Sequence, residues 1–211
     1  MKCEKQGGEE VPPDFYDRAL RIPLYRRYHI NRFRSMCKLI GDVSGLAMLD
    51  VGCDGGTFTE HMVKSCKPSF TAALDLDFKA ISYAKAKRPI AEFLVADGLR
   101  LPFRDEAFDL VTIMEVLEHV HEPKSMLKEA YRVLRKGGLL VALVPNEKSK
   151  LYRVVWPVWT KFRGRVWSDK HVVEFDEEVF KELVEDVGFK VVETCKPNFG
   201  MLIAIKAVKP S

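Results

Sequence analysis

The residues of this chain that could do chemistry are a set of carboxylates spaced around glycines. Asp50 and Asp54 flank Gly52 in the run Met48-Leu49-Asp50-Val51-Gly52-Cys53-Asp54-Gly55-Gly56-Thr57. Asp75 follows Gly56 by 19 residues, at the end of the apolar run Phe70 to Leu74, and Asp77 and Asp97 come after it. Glycines let the backbone turn sharply and let a ligand approach the main chain. An acid about 20 residues beyond such a turn is the usual partner of a ribose diol. The spacing therefore points to a ligand that contains adenosine.

Charge narrows the choice. In the dinucleotide pattern G-x-G-x-x-G begun at Gly52, Asp54 and Thr57 occupy the second and third glycine positions. A carboxylate in that turn repels a pyrophosphate, which disfavours a nicotinamide dinucleotide. No G-x-x-x-x-G-K-[ST] loop is present. Asp50, Asp54, Asp75, Asp77 and Asp97 suit a cation instead, and S-adenosylmethionine carries an ammonium and a sulfonium but no phosphate.

These residues must be positioned by alternating strands and helices. Strands are expected at Ala47–Val51, Phe70–Leu74, Glu92–Ala96, Asp109–Met114 and Leu139–Val144. The last is an unbroken apolar run, as in a strand buried on both faces. Helices are expected at 24–41, at Thr57–Ser65, at Lys79–Lys87 and at Pro123–Leu134, where proline suits the first turn. A further helix, capped by Asp176 and stopped at Gly188, precedes strands Lys190–Glu193 and Met201–Val208. Such alternation implies an α/β fold, a doubly wound and mostly parallel sheet with helices on both faces. Ligands of such sheets bind outside the carboxyl ends of the strands. Residues 1–13 are expected to be disordered.

Five segments, in order, give a family resemblance: Leu49 to Gly56; Ala73-Leu74-Asp75-Leu76-Asp77; Ala96-Asp97-Gly98-Leu99-Arg100-Leu101-Pro102-Phe103; Phe108-Asp109-Leu110-Val111 through Val116-Leu117-Glu118-His119-Val120; and Leu134-Arg135-Lys136-Gly137-Gly138, matching the turn before strand five. The chain resembles the class I S-adenosylmethionine-dependent methyltransferases, in the group (methyltransferase type 11) that includes small-molecule and quinone-biosynthesis enzymes. It departs from the family by Asp54, where glycine is usual. The resemblance implies a Rossmann-like seven-stranded sheet whose last strand is antiparallel, inserted between strands five and six. It implies one domain: an N-terminal helical cap at 1–44, a cofactor-binding core at 45–147, an insertion at 148–172, and a helix with two strands at 173–211. For the site it implies Gly52, Cys53, Asp54 and Gly56 in the cofactor turn and Asp75 on the ribose. Asp97 would meet the adenine amino group, with backbone contacts from Gly98 and Leu99, and Leu76 and Leu99 would sandwich the ring. Met114 and Glu115 would face the methionine part. Asp50 would order the turn and reach the ammonium.

Each assignment has a plainer alternative. Asp75 could cap the next helix, and Asp97 could start a turn with Gly98. Asp77 is expected as a helix cap. His119 and His171 are candidate catalytic groups because imidazole titrates near neutrality, although His119 could simply order the turn after strand four. His121 and Glu118 are expected to be solvated. Methyl transfer mainly needs an in-line acceptor and exclusion of water, and such positioning can supply roughly 7–11 kcal/mol, so no obligatory catalytic residue is expected.

Composition sets the outer limits. The 211 residues carry a net charge of +4 and five cysteines without C-x-x-C spacing. Reduced thiols, a cytoplasmic location and no metal are expected, with Cys53 a small filler of the turn rather than a nucleophile. Seven Lys or Arg lie between Arg18 and Lys38 with no acid, and seven between Lys148 and Lys170 against Asp169 alone. The second stretch holds Trp156, Trp159 and Trp167. It reads as a lid over the site, as a peripheral membrane contact, or as an RNA-stacking segment. The acceptor is expected to be a small organic or lipid-like molecule. An RNA-modifying methyltransferase and a catalytically silent cofactor-binding module are the alternatives, and nucleic acid stays an open partner.

Overall fold

The computed structural model describes residues 11–162 and 171–211. Seven strands form one sheet: β1 (Ala47–Val51), β2 (Phe70–Asp75), β3 (Glu92–Val95), β4 (Phe108–Met114), β5 (Leu134–Pro145), β6 (Lys190–Cys195) and β7 (Leu202–Val208). Their order is β3-β2-β1-β4-β5-β7-β6. Strands β1 to β5 pair in parallel, and β7 runs antiparallel between β5 and β6. The doubly wound sheet and the inserted last strand are both as the sequence implied.

Strand residues alternate between the two faces of a sheet, and β1 feeds two helical layers in this way. Leu49 and Val51 pack with Leu127 and Ala130 of α5 (Pro123–Val133) and Phe180 and Val184 of α7 (Glu177–Glu185). Met48 packs on the other face with Met36 of α2 (Pro23–Ile40) and Met62 of α3 (Thr57–Cys66). Asp50 shares the face of Met48. Between β2 and β3 lies α4 (Phe78–Lys87), whose Ile81 and Ala84 meet Phe93. The cap of α4 is Asp77, which accepts from the Lys79 and Ala80 amides, and Asp176 caps α7 by accepting from the Val179 amide.

Two expectations need correction. Strand β5 starts at Leu134, because Leu134 pairs with Phe108 and the Gly137 amide donates to the Lys209 carbonyl. The supposed turn before it is thus a bulged part of the strand, with a register shift between Phe108 and Leu110. Ahead of α2 stands a short helix, α1 (Phe15–Ala19). The stretch just before α1 is not disordered: the Pro12 carbonyl accepts from Phe15, and the Pro13 carbonyl lies 2.2 Å from where a side chain on Gly55 would begin. The rest of the expected disorder, residues 1–10, lies outside the described residues. In the basic-aromatic insertion, α6 (Lys150–Phe162) is a helix, and Trp167 lies outside the described residues.

Candidate active site

At the carboxyl edge of the sheet, strand order reverses between β1 and β4, which is where open parallel sheets hold ligands. The turn after β1 hangs from β2, because the Gly52 and Cys53 amides both donate to the Leu74 carbonyl. Gly52 has φ +77°, and an added Cβ would meet Val116 Cγ2 at 2.2 Å, so both backbone and space demand glycine there. Gly56, also left-handed, opens α3. Asp75, at the end of β2, takes the Asp54 amide on Oδ2 and the Asp77 amide on Oδ1, each at 2.9 Å. It therefore shapes the turn as well as lining it, and it is not the helix cap.

Asp54 has φ +45°, the left-handed conformation that glycine usually supplies. Its Oδ2 is buried and has no hydrogen-bond partner among the described residues. Burial, reinforced by Asp75 and Asp77, pushes its carboxyl up to about 7. Asp50 is only 1% exposed and accepts from the Thr59 hydroxyl at 2.6 Å and the Thr112 hydroxyl at 2.8 Å. Both its oxygens thus take hydroxyls from elements packed beneath the turn. Cys53 is buried, its thiol pushed up by burial and three nearby carboxylates, which leaves it inert.

Leu76, just after β2, and Leu99, in the loop after β3, stand 59% and 37% exposed. Apolar side chains facing water beside a carboxylate are what a flat heterocycle needs. Asp97 is exposed, and its Oδ1 accepts from the Leu99 amide at 2.9 Å, so it does shape a turn through Gly98. That leaves Asp97 Oδ2 unused by this turn.

The wall opposite comes from α1 and α2. Arg32 is 4% exposed, ion-paired with Glu115, and its Nε lacks a hydrogen-bond partner among the described residues. Glu115 has φ +54°, which turns the chain at the end of β4. Met114 beside it packs on the α2 layer. The Arg32 guanidinium lies 5.5 Å from the Tyr16 ring, and Tyr16 meets His29 edge-on at 5.3 Å. Burial, together with Asp54 and Glu118, outweighs Arg32 and pushes the Tyr16 hydroxyl up to about 12. Burial and Arg32 push His29 down to about 2, so it is neutral. None of Tyr16, His29 and Arg32 was picked out as a site residue from the sequence. A signal existed for Arg32: it sits beside Phe33 and four residues before Met36, on the apolar stripe of α2.

His119 and His171, the candidate catalytic pair, are brought together with ring centroids 5.0 Å apart. Glu118 joins them. It is 1% exposed and not solvated, because the 3₁₀ turn Leu117–His119 folds it inward. Burial raises its carboxyl to about 8. Glu147 pairs with His171 Nδ1, and Trp156 of α6 stacks on His171 at 5.2 Å. His121 is exposed, as expected.

The match to known proteins falls on this architecture. A methyltransferase domain family matches residues 49–142. A demethylmenaquinone methyltransferase of Lactococcus lactis is 30% identical over 219 residues, covering 92% of this chain and 86% of its own. The chain belongs to the S-adenosylmethionine-dependent methyltransferases. Solved structures agree on the fold. The methyltransferase held in complex with the Haloferax volcanii Trm112 activator has a TM-score of 0.75 at 18% identity, covering 94% of this chain and 95% of that one. The N-methyltransferase NodS of Bradyrhizobium japonicum, in complex with S-adenosyl-L-homocysteine, has a TM-score of 0.65 at 21% identity, covering 87% and 88%. The methyltransferase keeps its glycine turn, Asp75 and Asp97 inside the matched span, while Tyr16, Arg32, Glu147 and His171 lie outside it.

Proposed function

We propose that this methyltransferase transfers a methyl group from S-adenosylmethionine to a small, lipid-like acceptor of the quinone type. The observation that carries the reading is an apolar slot of about 140 Å³ between α1, α2 and α6, lined by Phe15, Ala19, Ile22, Tyr25 and Trp159. Its remaining lining is Arg18 and His29, and His29 leads to Tyr16 and Arg32 at the sheet edge. Small-molecule sites are typically apolar with a few placed polar groups. The name of the Lactococcus relative supports the quinone class. Radiolabelled donor incubated with a short-chain naphthoquinol, a catechol and bulk RNA tests the reading. Label is expected in the naphthoquinol, and label confined to RNA or absent throughout would overturn it.

The donor brings an activated methyl on a sulfonium. In this reading Asp75 takes the ribose diol, Leu76 and Leu99 hold the adenine, and Asp97 with the Gly98 and Leu99 backbone meets its amino edge. Met114, Glu115 and the Gly52–Cys53 backbone face the methionine part, and Arg32, paired with Glu115 but with its Nε lacking a hydrogen-bond partner among the described residues, meets its carboxylate. Asp54 supplies the counter-charge for the cationic end. His119 and His171 stand on the acceptor side.

A pH dependence follows. Burial raises Asp50 to about 6 and Asp54 to about 7 from the ordinary 3.8. Because both folded values lie above the unfolded one, these groups favour the fold at pH below about 4, and that contribution is lost as pH rises through 6 to 7. A cationic ligand prefers ionised Asp54, so donor affinity should climb by up to about tenfold per pH unit below pH 7 and level off above it. Calorimetry at several pH values checks this, and Asp54→Asn should flatten the profile.

A second reading concerns where the acceptor is met. The face of α6 presents Leu151, Val154, Val155 and Val158, exposed by 39, 67, 37 and 57%, with Lys150 and Arg153 nearby and no acid in the helix. We assign this face to the surface of an anionic bilayer, the lipid arm of the expectation for residues 148–170. No helix among the described residues is long and apolar enough to cross a membrane. Vesicles rich in anionic lipid should co-sediment the protein, and Val154→Asp with Val158→Asp should reduce binding at least fivefold. Equal binding by that double variant would remove the assignment.

A further inference from the structure

We propose that Glu118, His119 and His171 form a binding site for one divalent transition-metal ion of the zinc class, beside the acceptor. Their ligand atoms all lie within 4.8 Å of one another. Four-coordinate zinc with bonds of about 2.0–2.1 Å needs ligand atoms about 3.4 Å apart, so small ring and carboxylate rotations close the cluster. Two imidazoles and one carboxylate suit zinc or a neighbouring first-row ion rather than calcium or magnesium, and three protein ligands leave one position open.

Three further observations bear on the site, the first of them pointing to a cation. Glu118 is 1% exposed, and its Oε2 has no hydrogen-bond partner among the described residues, while Oε1 lies 3.9 Å from His119 Nε2. The ionised form of a carboxyl without a partner in the interior is unfavourable, and a metal ion bound there would offset that cost. The two halves of the site are tied together by backbone, since the Val172 and Val173 amides donate to the Glu118 carbonyl at 2.8 and 3.3 Å. Glu147 pairs with His171 Nδ1, the carboxylate–imidazole arrangement that orients a ligating histidine and leaves Nε2 for the metal. The ion's role rests on the functional reading above, whereas its binding does not. An acceptor hydroxyl held beside the ion would lose its proton to water, and the freed electron pair, on that oxygen or delocalised onto a carbon of a conjugated ring, would form the new bond to the methyl carbon; in the carbon case the ring hydrogen returns to the oxygen as a proton. The pair of the breaking C–S bond stays on sulfur, giving the neutral thioether.

The test uses the full chain stripped with chelator. Titration with Zn²⁺ by calorimetry, and with Co²⁺ by its ligand-field absorption, should show one ion per chain. His119→Ala and His171→Ala should each weaken binding at least tenfold, Glu147→Gln about tenfold, and His121→Ala, a surface histidine, should change nothing. Glu118→Gln should also weaken binding at least tenfold; circular dichroism reports whether each variant folds, and if Glu118→Gln does not, the two histidine variants decide. Less than about a tenth of an equivalent bound, unchanged affinity in both histidine variants, or equal loss in His121→Ala overturns the site. S-adenosylhomocysteine binding by the same preparation separates this failure from failure of the methyltransferase reading.

Discussion

Replacing Asp75 by alanine is expected to weaken cofactor binding by about 1.5–3 kcal/mol, roughly a tenfold to hundredfold rise in Kd. That range is for hydrogen bonds to a charged group, and Asp75 makes two kinds. In the proposed site its carboxylate accepts from the ribose hydroxyls. In the structure it already accepts from the Asp54 and Asp77 amides, so it also fixes the glycine turn and the entry to α4. The variant therefore loses a ligand partner and a preorganised turn together. Calorimetry with S-adenosylhomocysteine measures the loss, and a melting curve shows whether the fold survives. Unchanged affinity would take Asp75 out of the site.

Arg88→Ala is expected to destabilise the protein by about 3 kcal/mol, the low end for breaking a buried ion pair, and to lower Tm by roughly 6–12 °C. The low end applies because the partners are partly hydrated, with Asp17 and Glu60 side chains 19% and 30% exposed against 3% for Arg88. One guanidinium joins Asp17 of α1, Glu60 and Thr57 of α3 and the Gly55 carbonyl. It thus fastens the N-terminal wall to the glycine turn. Burial raises Asp17, yet its bonds to Tyr83, Arg88 and Thr57 together hold its carboxyl below the ordinary 3.8. The folded value lies below the unfolded one, so this stabilisation is full above about pH 4 and fades as pH falls through the lowered value. Melting curves at pH 7 and at low pH check both points. A Tm within a degree of wild type at pH 7 would show that α1 is held by other means.

Much of the cofactor edge was legible because it is local. Gly52 and Gly56 report a turn, Asp75 reports a strand end at a fixed distance, and Asp77 and Asp176 report helix starts. In each case a few consecutive residues set the backbone path. The face Asp50 takes follows from alternation along β1, but that the Thr59 and Thr112 hydroxyls occupy both its oxygens depends on other elements and has no local signal. Glu118 was misjudged because a glutamate after a strand is usually solvated, and only the fold of the 3₁₀ turn buries it.

The sequence by itself determined the alternation of strand and helix, the order of motifs, the sign of charge in the turn and hence the adenosyl donor. Those depend on residue type and short-range spacing, which tertiary context cannot easily override. Only the tertiary structure decided that Arg32 meets Glu115, that His171 reaches His119, and that Arg88 joins two helices to the glycine turn. Those pairings join segments far apart in the chain, and no local pattern encodes them, because each depends on the path of every element between.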